Sequence, residues 1–134
     1  MRKIEYRLTH GEHNERLCDN LRVNQEFPDW TITTAFYATL HFVTYEIFPF
    51  KYKVGDKQLV FENIDDWFRF KGSKTSKHQL LSELVEIYCP SVYDDYKWLL
   101  KMSHDARYKS YQHDKHIVDR AISIMKRINR LSQS

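Results

Sequence analysis

Glycine and proline are scarce, three of each in 134 residues. So few chain-breaking residues disfavour the many tight turns of a β-sandwich or barrel and favour a few long helices. Only two cysteines are present, and Cys18 and Cys89 stand too far apart in sequence for a close-spaced metal or redox pair. Both thiols are expected to be free and partly buried in a reducing, cytoplasmic setting. No basic start followed by an apolar stretch and a cleavage site opens the chain. Long apolar runs are missing too. The longest stretch without a charged side chain, Trp30 to Tyr45, is interrupted by five threonines and His41 and falls short of the roughly 20 residues a bilayer requires. That excludes it as a membrane span and makes it a core helix, and no membrane partner is expected. No glycine-rich phosphate loop, nucleophile elbow or clustered acidic pair occurs, so the usual sequence marks of nucleotide hydrolysis, acyl transfer and paired-carboxylate chemistry are absent.

What is there suits one packed interior. Hydrophobic residues make up 42% of the chain and aromatics 15%, and the length fits a single domain over 1–134. The formal net charge is +3, unevenly spread: from Lys97 onward nine Lys or Arg face three Asp, while the preceding residues sum to −3. The basic end is where an anionic partner is expected.

Apolar spacing predicts the elements. Thr9 and Glu12 fit a capping box for a first helix to about Asn24, with Leu17, Cys18 and Leu21 inward; an extension through the residues before Thr9 is the alternative start. After Pro28, Asp29 is a good N-cap for a second helix through about Ile47, on which Trp30, Ile32, Phe36, Tyr37, Leu40, Val43 and Ile47 spread around the cylinder as in a central bundle helix. Pro49 ends it. Residues 49–75 form an insertion: a hairpin-like pattern flanks Gly55-Asp56, a helical turn follows from Asn63 to Phe70, and Gly72 to Thr75 is the most flexible-looking stretch. Ser76 opens the next helix, which stops at Pro90; Ser91 caps another carrying Val92, Tyr96, Leu99, Ser103 and Ala106 in a stripe, with Arg107 at its edge. The last helix begins near His113 or Asp114 and buries Ile117, Ala121, Ile124 and Ile128. The fold class expected is all-α, a four- to five-helix up-and-down bundle with a small hairpin-like insertion between the second and third main helices.

Arg107 and His113, with five residues between them across the last helix junction, form the most interesting pair. A guanidinium holds phosphate at two points, and an imidazole passes protons near neutral pH, which together suit phosphodiester cleavage. The plainer alternative pairs Arg107 with Asp105 or Asp94 and leaves His113 as a loop end. His10 with His13, and His113 with His116, have a metal-compatible spacing but no third ligand, so neither metal nor cofactor is expected. His41 stands alone as a strongly polar ring in an apolar helix, as a hydrogen-bonded core residue or as part of a binding site. His116, Arg120, Arg127 and Arg130 are spaced to track a phosphate backbone, although most such rows are simply solvated. Trp30, Phe36, Tyr96 and Trp98 read as core aromatics rather than base-stacking platforms.

The segment Asp29 to His41, with its aromatic pair, alanine and following histidine, and the segment Ser103-His104-Asp105-Ala106-Arg107-Tyr108 resemble two helices of the HEPN superfamily, and Arg107 to His113 meets that family's Arg-x4-6-His spacing. The resemblance covers most of the chain outside residues 49–75. It implies a helical bundle that forms a homodimer, binds RNA or nucleotide, and in catalytic members cleaves RNA without metal. Arg107 would then hold the scissile phosphate and His113 would move the proton, with Tyr108, His116, Arg120 and His41 as candidate substrate contacts. An antitoxin or a nucleotidyltransferase is the kind of partner protein implied. Tyr108 follows the arginine where catalytic members carry Asn, Asp or His. The alternative reading is a non-catalytic dimerisation or protein-interaction module.

Overall fold

The computed structural model describes residues 3–72 and 74–133. Ser73, inside the stretch expected to be flexible, lies outside them. Six α-helices and one hairpin follow in the order α1 (Glu5–Asn24), α2 (Pro28–Ile47), β1 (Phe50–Val54), β2 (Lys57–Phe61), α3 (Ile64–Lys71), α4 (Lys77–Tyr88), α5 (Tyr93–Tyr108) and α6 (Lys115–Asn129). The molecule is therefore a helical bundle of five long helices, with the hairpin and short α3 inserted between α2 and α4.

Helix α2 sits centrally and packs on α1, α4, α5 and α6. Its run from Trp30 to Tyr45, free of charged side chains, suits that place: Ile32, Ala35, Phe36, Ala38, Phe42 and Val43 are fully buried. Its threonines also fit, because a hydroxyl can bond inside the helix: Thr39 Oγ1 donates to the Ala35 carbonyl at 2.8 Å. The core is completed by Leu84 and Val85 of α4, Tyr96 and Leu99 of α5, and Met125 and Ile128 of α6. Helix α1 lies close against α2 because Gly11 leaves room; a Cβ there would stand 2.6 Å from Phe42 Cε1. Lys126 of α6 ties back to α1 through Glu15 at 2.6 Å and Asp19 at 2.8 Å.

Local signals in the insertion translate directly. Gly55 takes a left-handed φ of 60° at the turn, and β1 pairs antiparallel with β2 in a register that joins Phe50 to Phe61 and Tyr52 to Leu59. Phe50 and Phe61 pack with Trp67 of α3 at ring separations of 5.1 and 5.0 Å, so the insertion carries its own aromatic contacts into the core. Asn63 Oδ1 accepts from the Asp66 amide and caps α3, and Ser76 Oγ accepts from the Gln79 amide and caps α4. The Phe48-Pro49 peptide is cis.

Three expected caps are displaced. Helix α1 starts at Glu5, and Thr9 lies inside it with its hydroxyl bonded to the Tyr6 carbonyl at 3.0 Å. Tertiary contacts hold that extra turn: Lys3 donates to the Glu46 carbonyl and Arg7 to the Glu62 carbonyl. Asp29 is a first-turn residue behind Pro28, where its carboxylate still suits the helix dipole, and Phe27 takes the cap position. Ser91 falls within a 3-10 turn, Pro90–Val92, ahead of α5.

Candidate functional site

Arg107 stands on the last turn of α5, next to buried Ala106, so its stem is half-buried at the edge of the core. Its Nη1 donates to the Tyr37 hydroxyl at 2.9 Å, and the guanidinium carbon lies 5.5 Å from the Tyr37 and Tyr108 ring centroids. Its Nε is shut from solvent with no hydrogen-bond partner. The carboxylates that might neutralise it are engaged elsewhere or stand apart: Asp105 takes Lys109 at 3.4 Å, and among the described residues no ion pair joins Arg107 to Asp105 or Asp94. Arg107 lines a recess of about 260 Å³ with Asp29, Trp30, Thr33 and Tyr108.

Trp30 was expected in the core but is 55% exposed, and Tyr37 is also exposed. Seven residues apart on α2, the two share a face, and that face meets the end of α5 instead of the interior. Tyr108, 72% exposed, and Tyr111, 70% exposed, add aromatic surface nearby in sequence. A guanidinium without a counter-ion beside exposed rings has the means to grip an anionic oxygen and to stack a flat group.

His113 ends the loop before α6. Its Nε2 donates to the Ser110 carbonyl at 2.7 Å, since a carbonyl only accepts, and in a neutral ring this leaves Nδ1 as the free acceptor. The loop is braced by the Ser110 hydroxyl, which accepts from the Gln112 amide at 3.1 Å. His113 lines a second recess, of about 230 Å³, with Arg22, Pro28, Thr31 and Asp119. Pro28 and Thr31 belong to this recess while Asp29, Trp30 and Thr33 belong to the other, so the start of α2 contributes to both, and Arg107 and His113 line different recesses.

The basic row on α6 is largely committed to the protein itself. Arg120 lies over Trp98, 4.1 Å from the ring centroid, and Arg127 pairs with Asp95. His116 is exposed in the first turn. His41 was expected to be buried and hydrogen-bonded; it is half-buried, lines a cavity that shares no lining residue with either recess, and stacks on His10 of α1 at 3.9 Å. Burial, then the nearby charges of His10 and Arg7, push its pKa down to about 4. His78 lines the same cavity, and its pKa is lowered by burial and by the charge of Arg107.

Tyr37, the partner that orients Arg107, escaped the sequence reading because it was counted among the apolar residues of α2. Its seven-residue offset from Trp30 was the available signal. Among the described residues no group of three or more His, Cys, Asp or Glu is placed to hold a metal ion, and no helix is long and apolar enough to cross a membrane. Comparison with protein-family models, curated proteins and solved structures found no match.

Proposed function

We propose that the Arg107 face binds the phosphate of RNA or of a nucleotide. The observation that carries this reading is the guanidinium itself, held by the Tyr37 hydroxyl at 2.9 Å, free of any carboxylate partner among the described residues, and flanked by exposed aromatic rings. Phosphate would satisfy the charge, and Trp30 or Tyr108 would stack a base. Metal-independent RNA cleavage is the catalytic form of the proposal, with Arg107 on the scissile phosphate and His113 taking the 2′-hydroxyl proton through Nδ1. Because Arg107 and His113 line separate recesses, that chemistry calls for a homodimer in which two copies complete each other's sites.

The test is fluorescence anisotropy of a labelled single-stranded RNA with wild-type protein and Arg107→Ala. Binding that weakens at least about tenfold in the variant supports the proposal, since one lost charged hydrogen-bond pair is worth that much. Equal binding would sink it.

A second reading has its own observation. Trp30, Tyr37, Tyr108 and Tyr111 are all exposed large rings, and such residues anchor protein interfaces. A non-catalytic dimerisation or protein-interaction module would use this same face, and an antitoxin or nucleotidyltransferase is the partner class the resemblance implies for it. Light scattering that reports dimers in wild type and monomers in Trp30→Ala, with no RNA bound by either, would favour this module.

A further inference from the structure

A cavity of about 400 Å³ opens where α1, α2 and the starts of α3 and α4 meet. Its size falls within the range of small-molecule sites, roughly 300–1,000 Å³. Leu40, Ile64 and Leu81 supply apolar walls. Apart from Tyr6, its titratable lining is wholly basic: Arg7, His10, His41, Lys77 and His78, with no carboxylate among the lining residues.

Charge is unevenly balanced there. Lys77 is matched by Asp65 at 2.5 Å. Arg7 has no such match among the described residues. Its Nη2 donates to the backbone carbonyl of Glu62, its guanidinium lies 5.3 Å from the Phe48 ring centroid, and its Nη1 is shut from solvent with no acceptor. A buried donor left unmet is unfavourable, and a turn of the guanidinium towards an acceptor in the cavity would relieve it. Beside it, His10 and His41 lie face to face at 3.9 Å with Tyr6 edge-on to His10, a flat surface on the cavity wall.

We infer that this cavity is a binding site for a small organic anion with a flat apolar body, its acid group met by Arg7 and the imidazoles and its body by Leu40, Ile64, Leu81 and the histidine stack. The inference is independent of the Arg107 reading, and the two sites share no lining residue. An anion supplies Arg7 with its missing acceptor. It also supplies the counter-charge that His41 lacks. The groups facing His41 are Tyr6, Arg7 and His10 from α1, and Lys77 with its Asp65 partner and His78 from the α3–α4 side, while Glu62 acts on Arg7. Since His41 titrates near 4 in the empty cavity, a bound anion raises that value, and binding takes up a proton in weak acid.

Titration calorimetry at about pH 5.5 with phenyl phosphate, benzoate, inorganic phosphate and benzyl alcohol tests this. At least one of the two aryl anions should bind, and which of them binds better identifies the acid group as phosphate ester or carboxylate. Inorganic phosphate and benzyl alcohol, which offer charge or ring alone, should each be at least about tenfold weaker. Arg7→Gln should weaken binding at least about tenfold, Leu40→Phe should block it by filling the cavity, and Arg107→Ala, whose charge acts on His78 at the cavity wall, should change it far less than Arg7→Gln does. Repeating the titration in two buffers of different ionisation heat should reveal proton uptake. Should Arg7→Gln fail to fold, the wild-type NMR signals of the His41 ring give the answer, because they must move on adding the bound anion. Silence of both aryl anions, an unmoved His41 ring, or binding abolished by Arg107→Ala but retained in Arg7→Gln and Leu40→Phe would each overturn the inference.

Discussion

The rings of His10 and His41 are stacked across the α1–α2 contact, 3.9 Å between centroids and 24° between planes. Burial disfavours a charge on the His41 ring, the stacked His10 and the nearby Arg7 disfavour it further, and together they push its pKa from 6.5 down to about 4. Above pH 6.5 both folded and unfolded chains hold His41 neutral, and its contribution to stability is fully present. As pH falls below that value the unfolded chain binds a proton that the folded chain resists, so stability is lost until the folded form also protonates near 4. The loss should be on the order of 1–2 kcal/mol after allowing for solvent screening of a half-buried ring. Urea midpoints measured from pH 8 to pH 4 should therefore decline, and His41→Leu should flatten part of that decline. Parallel curves for the two proteins would remove His41 as the source.

Gly11 is a packing residue whose importance no spacing rule announces. An added Cβ would lie 2.6 and 2.8 Å from two ring carbons of Phe42 and 3.2 Å from the Cβ of His41, and Phe42 is fully buried with no room to give. Alanine would gain up to about 1 kcal/mol of helix propensity. Forced separation of α1 from α2 should outweigh that gain, leaving Gly11→Ala less stable by about 1–3 kcal/mol. Chemical denaturation decides it, and a variant more stable than wild type would mean that the two helices adjust freely.

Tyr37 should act on phosphate binding through Arg107. Removing its hydroxyl in Tyr37→Phe takes away the acceptor at 2.9 Å that orients the guanidinium while leaving the exposed ring in place. RNA affinity should fall by about three- to tenfold, as expected for loss of a hydrogen bond to a charged group, with the melting temperature little changed. Arg107→Lys should be poorer still, because an ammonium keeps the charge but loses the planar two-point grip. Unchanged affinity in Tyr37→Phe would mean that the hydrogen bond does not orient the bound state.

If the face cleaves RNA, activity should persist in chelator, since the proposed chemistry uses a proton-transfer histidine and a phosphate-binding arginine without a metal. His113→Ala and Arg107→Ala should each remove most of it, RNA products should end in 2′,3′-cyclic phosphate, and DNA should remain intact for want of the attacking hydroxyl. Mixing the two inactive variants should restore part of the activity if each site draws on two copies. Cleavage that survives in both single variants would point to a different site.

Much of the fold was legible because its signals are local. Asn63 and Ser76 cap their helices, Gly55 turns the hairpin, and Pro49 and Pro90 stand just past the ends of α2 and α4, as side-chain chemistry and fixed φ values require. The 3–4 residue spacing of Tyr96, Leu99, Ser103 and Ala106 likewise identified the buried side of α5 and set Arg107 at its edge. Those properties belong to the sequence by itself, since each depends on residues within a turn or two of one another.

What the tertiary structure decided is which neighbour covers each face. Trp30 and Tyr37 lie on one side of α2 by periodicity, yet periodicity cannot say that this side meets the end of α5, leaving Trp30 exposed and giving Arg107 its hydrogen-bond partner 70 residues away. The extra first turn of α1 depends on carbonyls supplied from residues 46 and 62, and the lowered pKa of His41 depends first on burial and then on a ring and a guanidinium brought by a different helix. Arg107 and His113 are near in sequence, yet they line different recesses. Helical spacing specifies direction around one axis; burial, charge and hydrogen bonding at a site depend on how several axes pack, and that is settled only when the whole core closes.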